Sequence, residues 1–276
     1  MTSKLPPVTR IRRAYARHKA RAGGDWHAYV TLAGAGVVVC DDAERAVKGY
    51  SVQKLAVAVA LLDKADRGEL DLGRRVRLEA GDVLGGSGIY HLQPVWGDEL
   101  TVGGVLTALL LVSDNTAVRL CGRLAPAAEI NEILAAKGFA RTRVEPVADP
   151  ARFLLGDTTA RETHDLLARL AAGTLLGPLT GGFLLRVLRG AAGYHDGVRR
   201  DMSSAQRARV ATKHGADRDE RGAARHEAGI MFDPHGAPAL VYSLFADGLG
   251  AAADYGATHP AVTAHAALGR VMLDCC

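Results

Sequence analysis

Aromatic side chains are scarce in this sequence: Phe, Tyr and Trp together make up 5% of it, while Ala, Gly and Leu abound. The core it can build is therefore aliphatic, and the stacking residues that accompany nucleic-acid binding are missing. Long apolar runs are absent as well. No stretch approaches the ~18 continuous apolar residues of a membrane span, and no apolar segment follows the basic residues at the front, as a secretory signal requires. On that reading the protein is cytoplasmic, although a secreted chain stripped of its leader would look the same. The cysteines are few, Cys40, Cys121, Cys275 and Cys276, and their spacing fits neither a zinc site nor a disulfide framework. The ten histidines include no H-x-x-x-H pair, so neither a metal nor another cofactor is expected. Lysine is uncommon too: seven of the 34 basic residues are Lys, and each is worth locating.

What is present is ordinary for a globular chain. The 276 residues, 48% hydrophobic and 23% charged, suffice for one large domain or two interleaved lobes. Much of the net charge of +4 sits in MTSKLPPVTRIRRAYARHKAR, residues 1–21, which holds no acid. Ile11 and Tyr15, four residues apart, mark the inward face of a helix there, and the basic residues its solvated face. A patch for nucleic acid or anionic membrane is the sharper alternative, and no nucleic-acid motif accompanies it.

Along the chain, DWHAYVTLAGAGVVVC (25–40) reads as a hairpin of two strands around a glycine-rich break. Residues 52–62 are apolar on every side, the pattern of a helix buried all round, ending near Gly68. Leu/Ala helical patterns then alternate with loops to about residue 200. From about 206, ARVATK, HEAGIMF and ALVYSLFADG look like strands, the last two joined through DPHG (233–236). A helix opening at Pro260 closes the chain. The expected fold class is α+β, an antiparallel sheet flanked by the N- and C-terminal helices plus an inserted all-helical lobe. Residues 1–50 and 201–276 would form the sheet lobe and 51–200 the helical lobe, together one catalytic unit with a ligand cleft between them.

Chemistry concentrates in four short stretches. In GYSVQKLAVAVALL, Ser51 and Lys54 stand one helical turn apart on one face. A serine hydroxyl attacks well only when a neighbouring base takes its proton, and a lysine is such a base only if burial or positive charge lowers its pKa. The apolar helix supplies burial, and its N-terminus points N–H groups at developing negative charge. Alone the pair is weak, since a random S-x-x-K is expected ~0.2 times here. The second stretch is LVSDNTA (111–117), equally suited to ending one helix and capping the next. The third is ATKHG (211–215), at the end of an expected strand, and the fourth RVEPVAD (143–149), a polar loop.

S-x-x-K, S-D-N and K-x-G in this order resemble the signature of class A β-lactamases and penicillin-binding proteins. The chain resembles class A β-lactamases over nearly its whole length. Ser51 to Ser113, Asn115 to Glu145 and Glu145 to Lys213 are separated by 62, 30 and 68 residues, within a few residues of that family's pattern. GSGIY ahead of LTVGGVLTALLLVSDNTA also looks like family sequence. The resemblance implies a β-lactamase/transpeptidase-like fold and an acyl-enzyme on Ser51, with Lys54 and Glu145 in proton transfer and Glu145 in deacylation. It implies that Ser113 relays a proton to the leaving nitrogen and that Lys213 keeps the pocket positive. Asn115 would bind the substrate's side-chain amide, with Gly215 and His214 lining the same strand. The N–H groups of Ser51 and Ala216 would form an oxyanion hole, where losing one donor costs about 3–4 kcal/mol. Tyr90 would line the entrance, Arg225 would meet a substrate carboxylate, and Arg143 would pair with Asp157 to staple the omega loop.

Three departures stand out. His214 replaces a family hydroxyl, Asp149 replaces an asparagine that fixes the hydrolytic water, and the loop is one residue short. A carboxylate at 149 close to Glu145 would raise one pKa of the pair. Glu145 favours hydrolysis over a stable acyl-enzyme, so β-lactam hydrolysis, with the antibiotic resistance it confers, is the leading expectation. Two alternatives remain: an intracellular amide or ester hydrolase or acyltransferase of secondary metabolism, and a ligand-binding protein without turnover. The partner in each case is a small molecule, and the chain is expected to act as a monomer.

Overall fold

The computed structural model describes residues 5–92, 97–190, 193, 195–250 and 256–276. Chain order begins with helix α1 (Pro7–Ala22), strands β1 (Asp25–Leu32), β2 (Gly36–Asp41) and β3 (Val47–Lys48), a 3-10 turn (Tyr50–Gln53) and helix α2 (Lys54–Asp66). Strands β4 (Arg75–Arg77) and β5 (Glu99–Thr101) lead to helices α3 (Val102–Leu111), α4 (Asn115–Leu124) and α5 (Ala127–Ala136). Short strands β6 (Glu145–Pro146), β7 (Phe153–Leu154) and β8 (Asp157–Thr158) precede α6 (Ala160–Ala171), α7 (Pro178–Leu188) and α8 (Ser204–Arg207). Strands β9 (Val210–Asp219), β10 (Gly222–Phe232) and β11 (Pro238–Asp247) and helix α9 (Pro260–Leu273) complete it. Among the described residues, no helix is long and apolar enough to cross a membrane.

Two compact units emerge. One comprises Met1–Arg45, Thr159–Ala172 and Tyr194–Cys276. Its centre is an antiparallel sheet in the order β2-β1-β11-β10-β9, so the hairpin read near the front and the strands read near the end lie side by side. Leu32 pairs with Gly36 across the first hairpin, where Gly34 takes φ +73. In the 233–237 turn, Asp233 Oδ1 accepts from His235 N and Ala237 N at 2.8 and 2.9 Å, an Asx-type closure that joins β10 to β11. Helices α1, α6 and α9 pack in this unit. Ile11 and Tyr15 are buried, as their spacing predicts. Tyr15 meets Trp26 edge-on with ring centres 6.1 Å apart, and Trp26 stacks on His265 at 5.3 Å. Pro260 opens α9 at a first-turn position, where its missing N–H has no intrahelical partner to lose.

The second unit comprises Ala46–Thr158 and Gly173–Gly193. Helix α2 is its axis: every residue from Lys54 to Leu62 is buried, and α3, α4, α5 and α7 contact it. A helix enclosed by four others must be apolar all round, which explains the run that follows Ser51. The chain belongs to the α+β class with an antiparallel sheet, as expected. One local difference concerns ATKHG: Lys213–Gly215 lie inside β9, which continues to Asp219, not at its end. Pairing with β10 out to Gly222 sustains the strand through a segment whose polar composition reads as a loop.

Candidate active site

The nucleophile segment is not part of α2. Ser51 lies in the 3-10 turn and Lys54 is the first residue of the α-helix, its N–H donating to the carbonyls of Ser51 and Val52. In a 3-10 turn, side chains at i and i+3 eclipse, so this geometry brings Ser51 and Lys54 to one side more directly than an α-helix would. Tyr50, just before the serine, takes φ +44. A bulky residue in the left-handed region costs free energy that the surrounding contacts must offset. Those contacts are visible: Gly49 N donates to Gly156 O at 2.9 Å, and the Gln53 amide donates to Arg143 O and Asp157 O at 2.9 and 2.6 Å.

Lys54 is fully buried. Its amine donates to Ser113 O at 2.5 Å, Ser113 Oγ at 3.1 Å and Asn115 Oδ1 at 2.9 Å. None of these three donors goes to Ser51 Oγ. Burial lowers the Lys54 pKa to about 7, against the opposing charge of Asp114. Near neutrality the amine is thus free base in a large fraction of molecules. A neutral amine keeps two N–H donors, enough for the two carbonyl-type acceptors, and its lone pair then faces Ser113 Oγ. Ser113 and Lys54 can in this way share a proton, the property a relay to a leaving group needs.

The S-D-N stretch is both a cap and a site. Helix α3 ends at Leu111 with Val112 as its C-cap, Ser113 takes φ +55, and Asp114 caps α4. The fully buried Asp114 carboxylate accepts from Ala117 N at 2.9 Å, Ile89 N at 2.7 Å and Tyr90 N at 2.9 Å. It therefore anchors the GSGIY segment, and Gly88 has to be glycine: at φ +101, an added Cβ would lie 2.2 Å from Asp114 Oδ2. Asn115 spends both ends of its amide, Oδ1 on Lys54 and Nδ2 on Gly85 O at 3.0 Å. Tyr90 is buried, with its hydroxyl donated to Gly104 O at 3.2 Å. Tyr90 is thus packed inside its unit, with no exposed ring face for an entrance.

Glu145 opens β6, which pairs with β7 so that Glu145 lies opposite Leu154. Its carboxylate is engaged by Lys48 through Oε1, and the same amine lies 3.3 Å from Asp157 Oδ1. The expected Arg143–Asp157 pair does not form. Arg143 is exposed, Asp157 turns to Lys48, and the loop ends are joined by Arg143 N donating to Asp157 O at 2.9 Å and by Gln53. Asp149 occupies itself within its own turn, accepting from Ala151 N at 2.9 Å and lying 3.2 Å from Arg152 Nε. The short loop closes as a β6–β7 hairpin, and that turn takes up the carboxylate that was expected beside Glu145.

The remaining expected residues belong to the sheet unit. Lys213 is buried and its amine donates to the carbonyl of His214 at 2.8 Å. His214, Gly215 and Ala216 face Glu227, His226 and Arg225 across the β9–β10 ladder. Arg225 is fully buried, donates to Asp196 O and lies 3.6 Å from Glu227 Oε2. Internal partners therefore hold the guanidinium that was expected to meet a substrate carboxylate. Sequence reasoning missed three residues of the nucleophile's surroundings: Lys48, Gln53 and Asp114 as an anchor. The available signals were a rare lysine three residues before Ser51 and an amide at the head of an otherwise apolar run.

A buried lysine bonded to Ser113 and one turn from Ser51 is a serine–lysine arrangement of the S-x-x-K type. The chain belongs to the β-lactamase enzyme family, which it matches over residues 8–275. It is similar to a solved β-lactamase from Xanthomonas campestris pv. campestris at 20% identity, covering 98% of this chain and 99% of that one, with a TM-score of 0.80. The β-lactamase from Sphaerobacter thermophilus aligns at 21% identity over 96% of each chain, TM-score 0.77. A class A representative from Bacteroides cellulosilyticus aligns at 19% identity over 98% of each, TM-score 0.77. At these identities the likeness shows the fold. No curated protein matches the chain in sequence.

Proposed function

We propose that this protein hydrolyses β-lactams through an acyl-enzyme on Ser51, acting as a monomer with its two units as one catalytic entity. The observation that carries the reading is the buried Lys54 amine, lowered to about 7 and hydrogen-bonded to Ser113 and Asn115 one turn from Ser51. With substrate bound, the neutral Lys54 amine turns its lone pair from Ser113 Oγ to Ser51 Oγ and takes that proton as Oγ bonds to the lactam carbonyl carbon. Ser113 passes a proton to the lactam nitrogen as the C–N bond breaks. Backbone N–H groups of Ser51 and Ala216 receive the oxyanion, and Lys213 keeps the site positive. For deacylation, Glu145 removes a proton from water as its oxygen bonds to the acyl carbon. The proton then goes to Ser51 Oγ as the ester bond breaks, so atoms and charge balance. Gly215 and His214 flank that oxyanion donor, with imidazole where a hydroxyl binds the substrate carboxylate in the class A pattern.

A second reading, acylation with little turnover, draws support from the engagement of Glu145 by Lys48. One experiment separates the two. Nitrocefin colour change that is lost in Ser51→Ala supports hydrolysis, and a lasting mass adduct with penicillin without turnover supports the second. In Glu145→Ala the acyl-enzyme should accumulate in intact-protein mass spectra; steady-state turnover equal to that of the unsubstituted protein would remove Glu145 from the role of base.

A further inference from the structure

We infer that Lys48 is the positioning residue for Glu145, fixing one carboxylate oxygen so that the other is presented to the hydrolytic water; this rests on the hydrolase reading above. Lys48 lies on β3, three residues before Ser51, and β3 pairs with β8 so that Lys48 sits opposite Asp157. Its amine contacts Glu145 Oε1 and lies 3.3 Å from Asp157 Oδ1. One cation thus joins the strand that leads into the nucleophile turn, the strand at the far end of the loop and the loop's own acid.

The backbone on both sides is held independently. Asn131 Nδ2 donates to Val144 O at 3.0 Å, and Val144 N donates to Asn131 Oδ1 at 2.9 Å. Gln53 bonds the carbonyls of Arg143 and Asp157. The main chain at 143–145 is therefore fixed whether or not Lys48 is present, and the lysine's own contribution is to the direction of the Glu145 side chain. That side chain and those of Lys48 and Asp157 are 41%, 51% and 49% exposed. An ion pair so open to solvent adds little to folding stability. A general base, by contrast, is sensitive to its placement, because small displacements of a group that must meet water and ester together cost large factors in rate. The Lys48 pKa is raised above the ordinary lysine value, chiefly by the hydrogen bond to Glu145, as such a contact requires.

The test compares Lys48→Met and Lys48→Arg with the unsubstituted protein, using nitrocefin and penicillin. Acylation is followed in the pre-steady-state burst and deacylation by decay of the mass adduct. The expected result for Lys48→Met is a deacylation rate reduced about tenfold or more, an accumulating adduct, and an acylation rate within about threefold of the original. Lys48→Arg should recover most of the deacylation rate. Deacylation that is unchanged or faster in Lys48→Met, or both steps falling together, overturns the proposal. A second measurement needs no substrate: the Lys48 amine, followed by side-chain nitrogen NMR, should titrate nearer the ordinary lysine value in Glu145→Gln. An unmoved titration overturns the pairing. If the protein formed no adduct with any β-lactam, the hydrolase reading would fail by itself, and the amine titration would still decide whether Lys48 holds Glu145.

Discussion

At the scale of single residues, the proposed acylation turns on the protonation of one buried amine. Lys54 is an expensive residue to bury, because its ammonium loses hydration that three hydrogen bonds only partly replace. Lowering the pKa to about 7 relieves that cost and yields a base at neutral pH. Acylation of Ser51 should therefore accelerate as pH rises through about 7, measured as a burst rate against pH. A burst rate that is flat there would exclude Lys54 as the base. Stability carries the same signature with a definite sign. Between about 7 and the ordinary lysine value of 10.5, the folded chain binds fewer protons than the unfolded one, so stability rises with pH across that window. Lys54→Met should flatten this rise in denaturant titrations, and a slope identical to that of the original protein would contradict the burial. The sequence spoke clearly about this residue, since a lysine at the head of an apolar run announces the desolvation that the structure shows. It was silent about Arg225, whose charge looked available in the sequence and is in fact enclosed by Asp196 and Glu227.

At the scale of elements, the 3-10 turn Tyr50–Gln53 is the joint between the nucleophile and the loop that bears Glu145. Gln53 is buried and its amide nitrogen serves two carbonyls, one from each end of the loop. Gln53→Leu keeps the bulk and removes both bonds, leaving carbonyls short of a donor at about 1–3 kcal/mol. The expected outcome is a lower denaturant midpoint together with faster proteolytic cutting between residues 143 and 157. An unshifted midpoint would show that the loop is held without it. This joint was only partly legible beforehand. The apolar period announced α2 and its end, but period alone does not distinguish a leading 3-10 turn from one more turn of α-helix. The staple expected from Arg143 and Asp157 depended on where two exposed side chains point, and that is decided by Lys48 arriving on β3 from outside the loop.

At the scale of the whole molecule, residues from the two ends of the chain meet in the sheet unit. His27 on β1 is buried, with Nδ1 3.1 Å from Asp42 Oδ2 and Nε2 3.6 Å from Asp247 Oδ2. Burial pushes its pKa down, but the nearby carboxylates of Asp247 and Asp42 outweigh this and raise it overall. A raised histidine contributes stability in full below its unfolded value, and that contribution fades as pH rises through the folded value. His27→Gln should therefore lower the melting temperature most at about pH 5, with the gap narrowing by about pH 8. A gap of constant size would mean that the imidazole acts only by filling space.

The sequence by itself determined the class of fold, the S-x-x-K pair proposed as nucleophile and base, and the spacing of the motifs around it. Those follow from periodicity, local backbone preference and residue chemistry, all carried by neighbours along the chain. Only the tertiary structure decided which side chain each charge would face: Lys48 for Glu145 and Asp157, Arg152 for Asp149, Glu227 for Arg225. The reason is physical. Burial and ion pairing depend on segments far apart in the chain being packed together, and a charge has many acceptable partners until packing leaves only a few.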